Sequence, residues 1–324
     1  MSFGKKDGNS VSSLRQIAQT ATAANAPRKS AGSGLDVGFI ALAMGVVVIS
    51  AGGAIAAPSV MSMFSGSFAS GVVRPIPTVI AGLDREHVKA ALAREAFPDK
   101  HGAAFMQTLA VNFPQEHDRL VGVLADTAMK GGDRDAMILD LNKWGVEFAI
   151  QNMPAIGRTG AKGFDQALDF GSDALSFVEQ TAGGCTPKAI MAIANDPQKL
   201  MELSAYDSRS TQFGMDAYRK LVALAAEGRN APAIDTTPTP KDEQALQAVV
   251  MSLMMDERVT KLVRAASEGN ASAASLESTL DVCELGDAVI AKLKRLPADT
   301  KARIWAMGAA EAVKSLRSFP LAGI

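Results

Sequence analysis

The sequence is poor in the residues that build sheets and in those that bind metals. Aromatic residues make up 5% of its 324 residues, histidine occurs three times and cysteine twice. Sheets favour aromatic and β-branched residues, whereas the Ala, Leu, Met, Lys, Glu and Gln that are abundant here favour helices. We therefore expect an all-α fold, either a multi-helix bundle or a short helical solenoid.

An excess of charge of one sign is also lacking. The chain has 33 basic and 34 acidic residues, a formal net charge of −1, and no basic cluster of the kind that binds phosphate backbones. Nucleic acid is therefore not expected as a partner.

Motifs of catalysis and of cofactor binding are missing as well. The sequence contains no G-x-S-x-G elbow and no HExxH pair. The stretch GRTGAKG at 157–163 has Arg158 and Lys162 beside glycines, as anion-binding loops do, but it fails the Walker pattern and is interpreted as a loop between two helices. No catalytic, cofactor-binding or metal-binding residue is assigned.

The three histidines, His87, His101 and His117, each fall in the first turn of a predicted helix. They could converge on a metal, but none has an i,i+4 partner histidine or a nearby cysteine. We expect exposed or capping histidines. An acidic group formed by Asp281 and Glu284 with Asp287 is interpreted in the same way, as a solvated helix face.

One long apolar run stands out near the N-terminus. No charge occurs from Val37 to Ala57, and Ser50 is the only hydroxyl there. A helix rises about 1.5 Å per residue, so such a run reaches across a hydrocarbon core of about 30 Å. The sequence therefore predicts a single transmembrane helix at residues 35–58, in contact with the lipid bilayer.

Basic residues indicate the orientation of this helix. Only Arg74 is basic between residues 58 and 83, whereas five basic residues precede the run: Lys5, Lys6, Arg15, Arg28 and Lys29. The positive-inside rule places the N-terminus in the cytoplasm and the C-terminal part in the periplasm of a bacterial inner-membrane protein. Two alternatives remain open: a signal peptide cleaved after the AIAA at 54–57, and a buried core helix.

Small residues recur four apart in the apolar run. Ala41 with Gly45, and Ser50 with Ala54, have the small-xxx-small spacing that lets two membrane helices approach closely. An Ala/Gly-rich helix also yields such pairs by chance. Packing of this helix, and homo-oligomerisation through it, are hypotheses.

The remaining organisation follows from composition and helix punctuation. Residues 1–34 are predicted to be a disordered cytoplasmic tail, 59–83 a juxtamembrane spacer, and 84–318 an all-helical periplasmic domain, which could be subdivided at the Pro-rich stretch 229–242. Asp84 is the expected N-cap of the first helix. Later helices are expected at about 115–129, 133–152, 161–181, 187–204, 209–228, 241–268, 274–295 and 298–317.

A short internal echo falls among the first helices. FPDKH at 97–101 recurs as FPQEH at 113–117. Proline followed by acidic residues is typical of a helix start. We expect two consecutive helices, each with a Phe packed beneath its first turn.

The two cysteines, Cys185 and Cys283, both follow the apolar run. In an oxidising periplasm two such thiols are expected to pair as a disulfide; two buried free thiols are the alternative. Neither lies in a CxxC motif, so a redox-enzyme or zinc signature is missing.

Met251, Met254 and Met255 lie in the apolar stretch VVMSLMMDERVTKLV. Methionine stripes can form adaptable binding surfaces, but packing in the core is the default expectation.

The sequence thus favours a membrane-anchored, non-enzymatic helical envelope protein that binds other membrane or periplasmic proteins, as a subunit or accessory of a larger assembly. The alternative is a periplasmic enzyme or ligand-binding protein whose site is assembled from scattered residues. A deep polar cleft on which the histidines or carboxylates converge would favour that alternative.

Overall fold

Ten α-helices of eight residues or more form the part of the chain that the structure describes. A computed structural model describes residues 84–194, 196, 198, 209–260 and 280–318, and among these there is no β-strand. The helices are α1 (Arg85–Glu95), α2 (Lys100–Asn112), α3 (Pro114–Met129), α4 (Arg134–Gly157), α5 (Gly160–Ala182), α6 (Pro187–Ala194), α7 (Arg209–Arg229), α8 (Pro240–Met254), α9 (Val282–Leu293) and α10 (Ala298–Ser318). The all-α prediction is confirmed for these residues.

Side-chain caps fix several helix starts. Asp84 accepts a hydrogen bond from the His87 amide at 3.0 Å, as the sequence predicts, and Asp99 and Asp133 cap α2 and α4 in the same way. A cap satisfies backbone N–H groups that lack a partner in the first turn. At the other end of α5, Gly183 adopts the left-handed conformation (φ +67°) that commonly ends a helix.

The sequence echo marks two helix starts, and both of its phenylalanines are buried. Phe97 is 2% exposed and Phe113 is 5% exposed, each just before its helix. The prolines differ in position: Pro114 opens α3, whereas Pro98 precedes the N-cap of α2. The two copies of the echo therefore share a buried phenylalanine before the helix, but they differ in where the proline stands relative to the helix start.

Two hydrophobic clusters lie side by side. The first cluster joins residues of α1, α2, α3, α4 and α7 around Phe105, Trp144 and Phe148. The second cluster is smaller and joins α5, α8, α9 and α10 around Phe164 and Leu168. Trp305 of α10 packs against both clusters and so connects them.

The Gly-rich stretch 157–163 lies where the two clusters meet. Trp305 Nε1 donates hydrogen bonds to the Ile156 carbonyl at 2.8 Å and to Thr159 Oγ1 at 3.0 Å. A Cβ on Gly163 would lie 2.7 Å from that same nitrogen. Gly228 of α7 is pressed against the backbone carbonyl of Ala155, where a side chain would collide. Glycine here permits close packing of helices.

Four predicted helix boundaries are wrong, and one of them is the end of α6, which lies at Ala194 instead of residue 204. α4 continues through Pro154 to Gly157, because burial of Ala155 and Ile156 against neighbouring helices outweighs the helix-breaking tendency of proline. α8 ends at Met254 instead of residue 268, at a turn that precedes Asp256. α9 begins at Val282, since Asp281 caps it by accepting from the Glu284 amide.

Several expectations fall outside the described residues. These are the tail, the transmembrane helix with Ala41, Gly45, Ser50 and Ala54, and the spacer at 59–83. Within the described part of the chain, no helix combines the length and the apolar character needed to cross a bilayer.

Candidate interaction surface

The expectation that Met251, Met254 and Met255 pack in the core is wrong. Their exposed fractions are 65%, 49% and 85%, although Leu246 on the same helix is 6% exposed. The three methionines occupy the last turn of α8 and the residue after it. They form the largest group of neighbouring exposed apolar side chains in the described chain.

A groove lies between α8 and the turn that joins α9 to α10. Its volume is about 280 Å³. Ala245, Ala248, Val249 and Ser252 form the α8 wall, at the i, i+3, i+4 and i+7 spacing of one helix face. The opposite wall contains Leu296 and Pro297, so most of the lining is apolar.

The charged residues that line the groove are both basic. Lys292 reaches across to donate to Ser252 Oγ, and Arg295 is exposed and makes no ion pair within the described residues. The groove and the three methionines together are called the α8 surface below. An apolar surface with basic residues on one side is complementary to an apolar segment that carries carboxylates.

Ion pairs fix the position of the residues that follow α8. Arg258 binds Asp256 at 2.7 Å and Glu284 of α9 at 2.6 Å. The hydrogen bonds from Arg258 lower the pKa of Asp256 to about 2, so the carboxylate is charged at neutral pH. The cluster ties the end of α8 to the start of α9 and positions the methionines at the exposed turn.

The three histidines have different neighbours. His87 Nδ1 lies 2.8 Å from Asp84 and is exposed, whereas His101 Nδ1 lies 2.6 Å from Asp216 on α7. His117 lies in a separate cleft between α1, α2 and α3. All three do occupy first helical turns, but in the described chain they form no shared metal-binding group.

The Gly-rich loop and the acidic group form ordinary packing contacts. Lys162 pairs with Glu227 of α7 at 2.8 Å, so its charge is already balanced within the protein. Asp281 is a helix cap, Glu284 pairs with Arg258, and Asp287 accepts from Ser172 at 2.7 Å. The loop between two helices and the solvated face predicted from the sequence agree with these positions.

Cys185 and Cys283 lie at disulfide distance, with their Cα atoms 5.6 Å apart and 98 residues apart in sequence. Cys185 follows α5 and Cys283 lies in the first turn of α9. The Val282 amide donates to the Cys185 carbonyl at 2.9 Å, which brings the two backbones together. Asp281 also lies near both sulfur atoms.

Sequence reasoning missed the groove and its basic residues. Lys292 and Arg295 follow α8 by about 40 residues, and no local pattern links them to it. The small residues spaced along α8 were a usable signal, since a face of alanines and serine cannot fill the space beside a neighbouring helix. Comparisons with family models, curated proteins and solved structures found no match.

Proposed function

We propose that this chain is a membrane-anchored, non-enzymatic envelope protein that binds other proteins through the α8 surface. Residues 35–58 anchor it in the inner membrane as a single transmembrane helix, and the helical region, a multi-helix bundle, lies in the periplasm. The observation that carries the binding proposal is the exposure of Met251, Met254 and Met255 at the end of a helix that also forms one wall of an apolar groove. Clustered exposed apolar residues are typical of interaction sites.

The chemistry of the surface indicates what binds there. Methionine side chains are flexible and polarizable, so they adapt to partners of different shape. Lys292 and Arg295 favour a partner segment with carboxylates along one side. The partner is therefore an apolar protein segment flanked by acidic residues, and the protein acts as a subunit or accessory of a membrane assembly.

Two further features support a periplasmic location. The basic residues that precede residue 35 favour retention of the N-terminus in the cytoplasm. The cysteine pair at bonding distance suits an oxidising compartment. Labelling of spheroplasts with a membrane-impermeant maleimide tests this location: we expect labelling only after reduction, whereas labelling only after lysis without reductant would place the helical region in the cytoplasm.

A site-specific photocrosslinker tests the binding proposal. Placed at residue 254 of the full-length chain in native membranes, it should give a discrete crosslinked product that is lost on Met255→Glu substitution. Residue 129 is the matched control, because Met129 is 48% exposed, as Met254 is at 49%, but lies on α3. Equal products at both positions, or none at residue 254, would reject the α8 surface as the binding site.

The alternative function, a periplasmic enzyme or ligand-binding protein, requires polar groups that converge on a cleft. The α8 groove has no carboxylate or histidine in its lining, and the cleft beside His117 contains one histidine and no carboxylate. This composition disfavours acid–base chemistry at either place.

A further inference from the structure

A second hollow lies where α1, α2 and the start of α3 meet. Its volume is about 310 Å³, at the lower end of the range of roughly 300–1,000 Å³ for small-molecule pockets. Phe97 and Met106 form its floor and are 2% and 6% exposed. Ala93, Ala103 and Ala110 leave the space open, because a larger side chain at any of them would fill it.

Three polar side chains line this cleft: Arg94, Gln107 and His117. Arg94 Nε donates to the carbonyl of Ala90 one turn earlier, but its guanidinium pairs with no carboxylate among the described residues. Neither the Gln107 amide nor the His117 ring makes a hydrogen bond within the described part of the protein. Their donors and acceptors are thus available to a ligand.

Other ionisable side chains near the cleft do have partners within the protein. On α1, Arg85 binds Asp126 at 2.7 Å and Lys89 binds Asp118 at 2.8 Å, both reaching to α3. His101, on the same helix as Gln107, is paired with Asp216. The polar side chains of the cleft therefore differ from their neighbours in having no charged side-chain partner among the described residues.

Arg94 supplies the only positive charge of the cleft at neutral pH. Burial lowers the pKa of His117, partly offset by the charge of Asp118, so the imidazole is uncharged at pH 7 and offers one donor and one acceptor. No acidic side chain lines the cleft. A ligand head group with a single negative charge would be balanced there.

We propose that this cleft binds a small monocarboxylate amphiphile, with the carboxylate on Arg94 and an apolar chain against Phe97 and Met106. A guanidinium accepts a carboxylate through two parallel hydrogen bonds. Gln107 and His117 donate the remaining hydrogen bonds to the head group. The alanine walls admit one short apolar chain, which excludes bulky or branched ligands. This site is independent of the α8 surface and of the function proposed for it.

Calorimetric titration with octanoate tests the site. The full-length chain is reconstituted in phosphatidylcholine nanodiscs, and empty nanodiscs report the partition of the ligand into lipid. We expect saturable binding of octanoate, and at least about tenfold weaker binding of octanol and octylamine, because hydrogen bonds between two charged groups are roughly twice as strong as those between neutral groups. Equal affinity for the three compounds, or no saturable binding, would overturn the proposal.

Variants then locate the ligand. Arg94→Gln should weaken octanoate binding at least about tenfold and leave the weak binding of octanol unchanged. Lys143→Gln is the matched control, since Lys143 is an exposed basic residue of α4 that lines neither hollow and has no carboxylate partner in the described chain, and this variant should bind octanoate like the unmodified protein. If the two variants behave alike, Arg94 is not the carboxylate site.

A variant that fills the cleft without changing its charge tests whether Arg94→Gln acts at the cleft itself. Ala103 is exposed, so Ala103→Leu can be introduced without disturbing the core, and its side chain would occupy the cleft. We expect it to abolish binding of octanoate while the circular dichroism spectrum stays unchanged. Unaltered binding in this variant would place the ligand elsewhere.

Discussion

The two hydrophobic clusters are built from different contacts. In the first cluster, aromatic rings touch one another: Phe148 lies 5.0 Å from both Phe113 and Trp144, and Phe105 lies 5.8 Å from Trp144, measured between ring centroids. In the second cluster, leucine and isoleucine dominate, and Phe164 is its only fully buried ring. The first cluster therefore buries more apolar area for each side chain.

Polar contacts compensate in the second cluster. Asp242, 3% exposed, accepts two hydrogen bonds from Arg303 at 2.7 and 2.9 Å and one from Thr300 at 2.6 Å. It also completes a capping box with Thr239 at the start of α8. The cysteine pair ties α9 to the end of α5. These contacts fix the geometry of a region that has a smaller core.

The difference bears on function, because the α8 surface belongs to the second cluster. Regions with few buried apolar contacts open at lower free energy than regions with large cores. Polar contacts specify where α8 lies without requiring a large buried face, so more of the helix stays exposed for a partner. We therefore expect the first cluster to be the more stable part, and the second carries the proposed binding surface.

The largest loss of stability should come from the first cluster. Phe148→Ala removes a fully buried ring that packs on Phe113 and Trp144, and we expect about 3–5 kcal/mol less free energy of unfolding. Urea denaturation followed by circular dichroism measures the change. Val111→Ala serves as control, because Val111 is 74% exposed, and should change stability by less than about 0.5 kcal/mol. Equal effects would contradict the importance of the aromatic core.

Loss of the cysteine pair should rank next and should act on the second cluster. Replacing both Cys185 and Cys283 by alanine opens a loop of 98 residues, and we expect a loss of about 2–4 kcal/mol. Hydrogen exchange should increase in α9 and stay unchanged in α2. Adding reductant to the unmodified protein should reproduce the loss, whereas the double variant should not respond to it. Faster exchange throughout both clusters would show that they do not differ.

Local patterns were enough to predict most helices, because caps and turn residues act within a few positions. Asp84, the two FP echoes and the glycines of 157–163 all mark real boundaries. The prediction failed where tertiary contacts decide. Pro154 stays inside α4 because its neighbours are buried, and nothing local indicates that.

The proposed interaction surface was only partly predictable, since exposure of an apolar residue depends on what packs over it. The methionine stripe was visible in the sequence, but its period is the same whether it faces the core or the solvent. Arg295 and Lys292 meet α8 only through the fold. The cysteine pair was predictable because the number of cysteines left a single intramolecular pairing.

A third and smaller loss is expected at the buried carboxylate. Asp242→Asn removes the charge that faces Arg303, and we expect about 2–3 kcal/mol, below the roughly 3–5 kcal/mol of a fully buried pair because 21% of the Arg303 side chain is exposed. Thermal unfolding measures the loss. Asp287→Asn is the control: Asp287 is exposed and accepts one hydrogen bond, so the change should be slight.

The same carboxylate predicts a pH dependence. Hydrogen bonds from Arg303, with those from Thr300 and Thr239, hold the pKa of Asp242 well below its usual value, although burial raises it. A carboxyl group whose pKa is lowered in the folded state contributes stability at pH values above its unfolded-state pKa of about 3.9. That contribution is lost as the pH falls from there towards the pKa of the folded state. The stability difference between the unmodified protein and Asp242→Asn should therefore shrink between about pH 5 and pH 2. A constant difference would mean that the charge of Asp242 is not the cause.

The smallest loss of stability should come from the exposed acidic residues of α5. Substituting them tests whether the number of polar contacts or their burial stabilises the second cluster. Asp165, Asp169 and Asp173 each pair with a lysine that lies in another helix or at its end, and all three carboxylates are at least 42% exposed. Exposed ion pairs contribute about 0–1 kcal/mol each and weaken in salt. Asp169→Asn should therefore cost less than about 0.5 kcal/mol, and the loss should vanish at about 1 M NaCl. The loss caused by Asp242→Asn should largely persist in the same salt, because its carboxylate is shielded from solvent. If Asp169→Asn instead caused as large a loss of stability as Asp242→Asn, exposed ion pairs would be what stabilises the second cluster. The position of α8 would then depend on ionic strength.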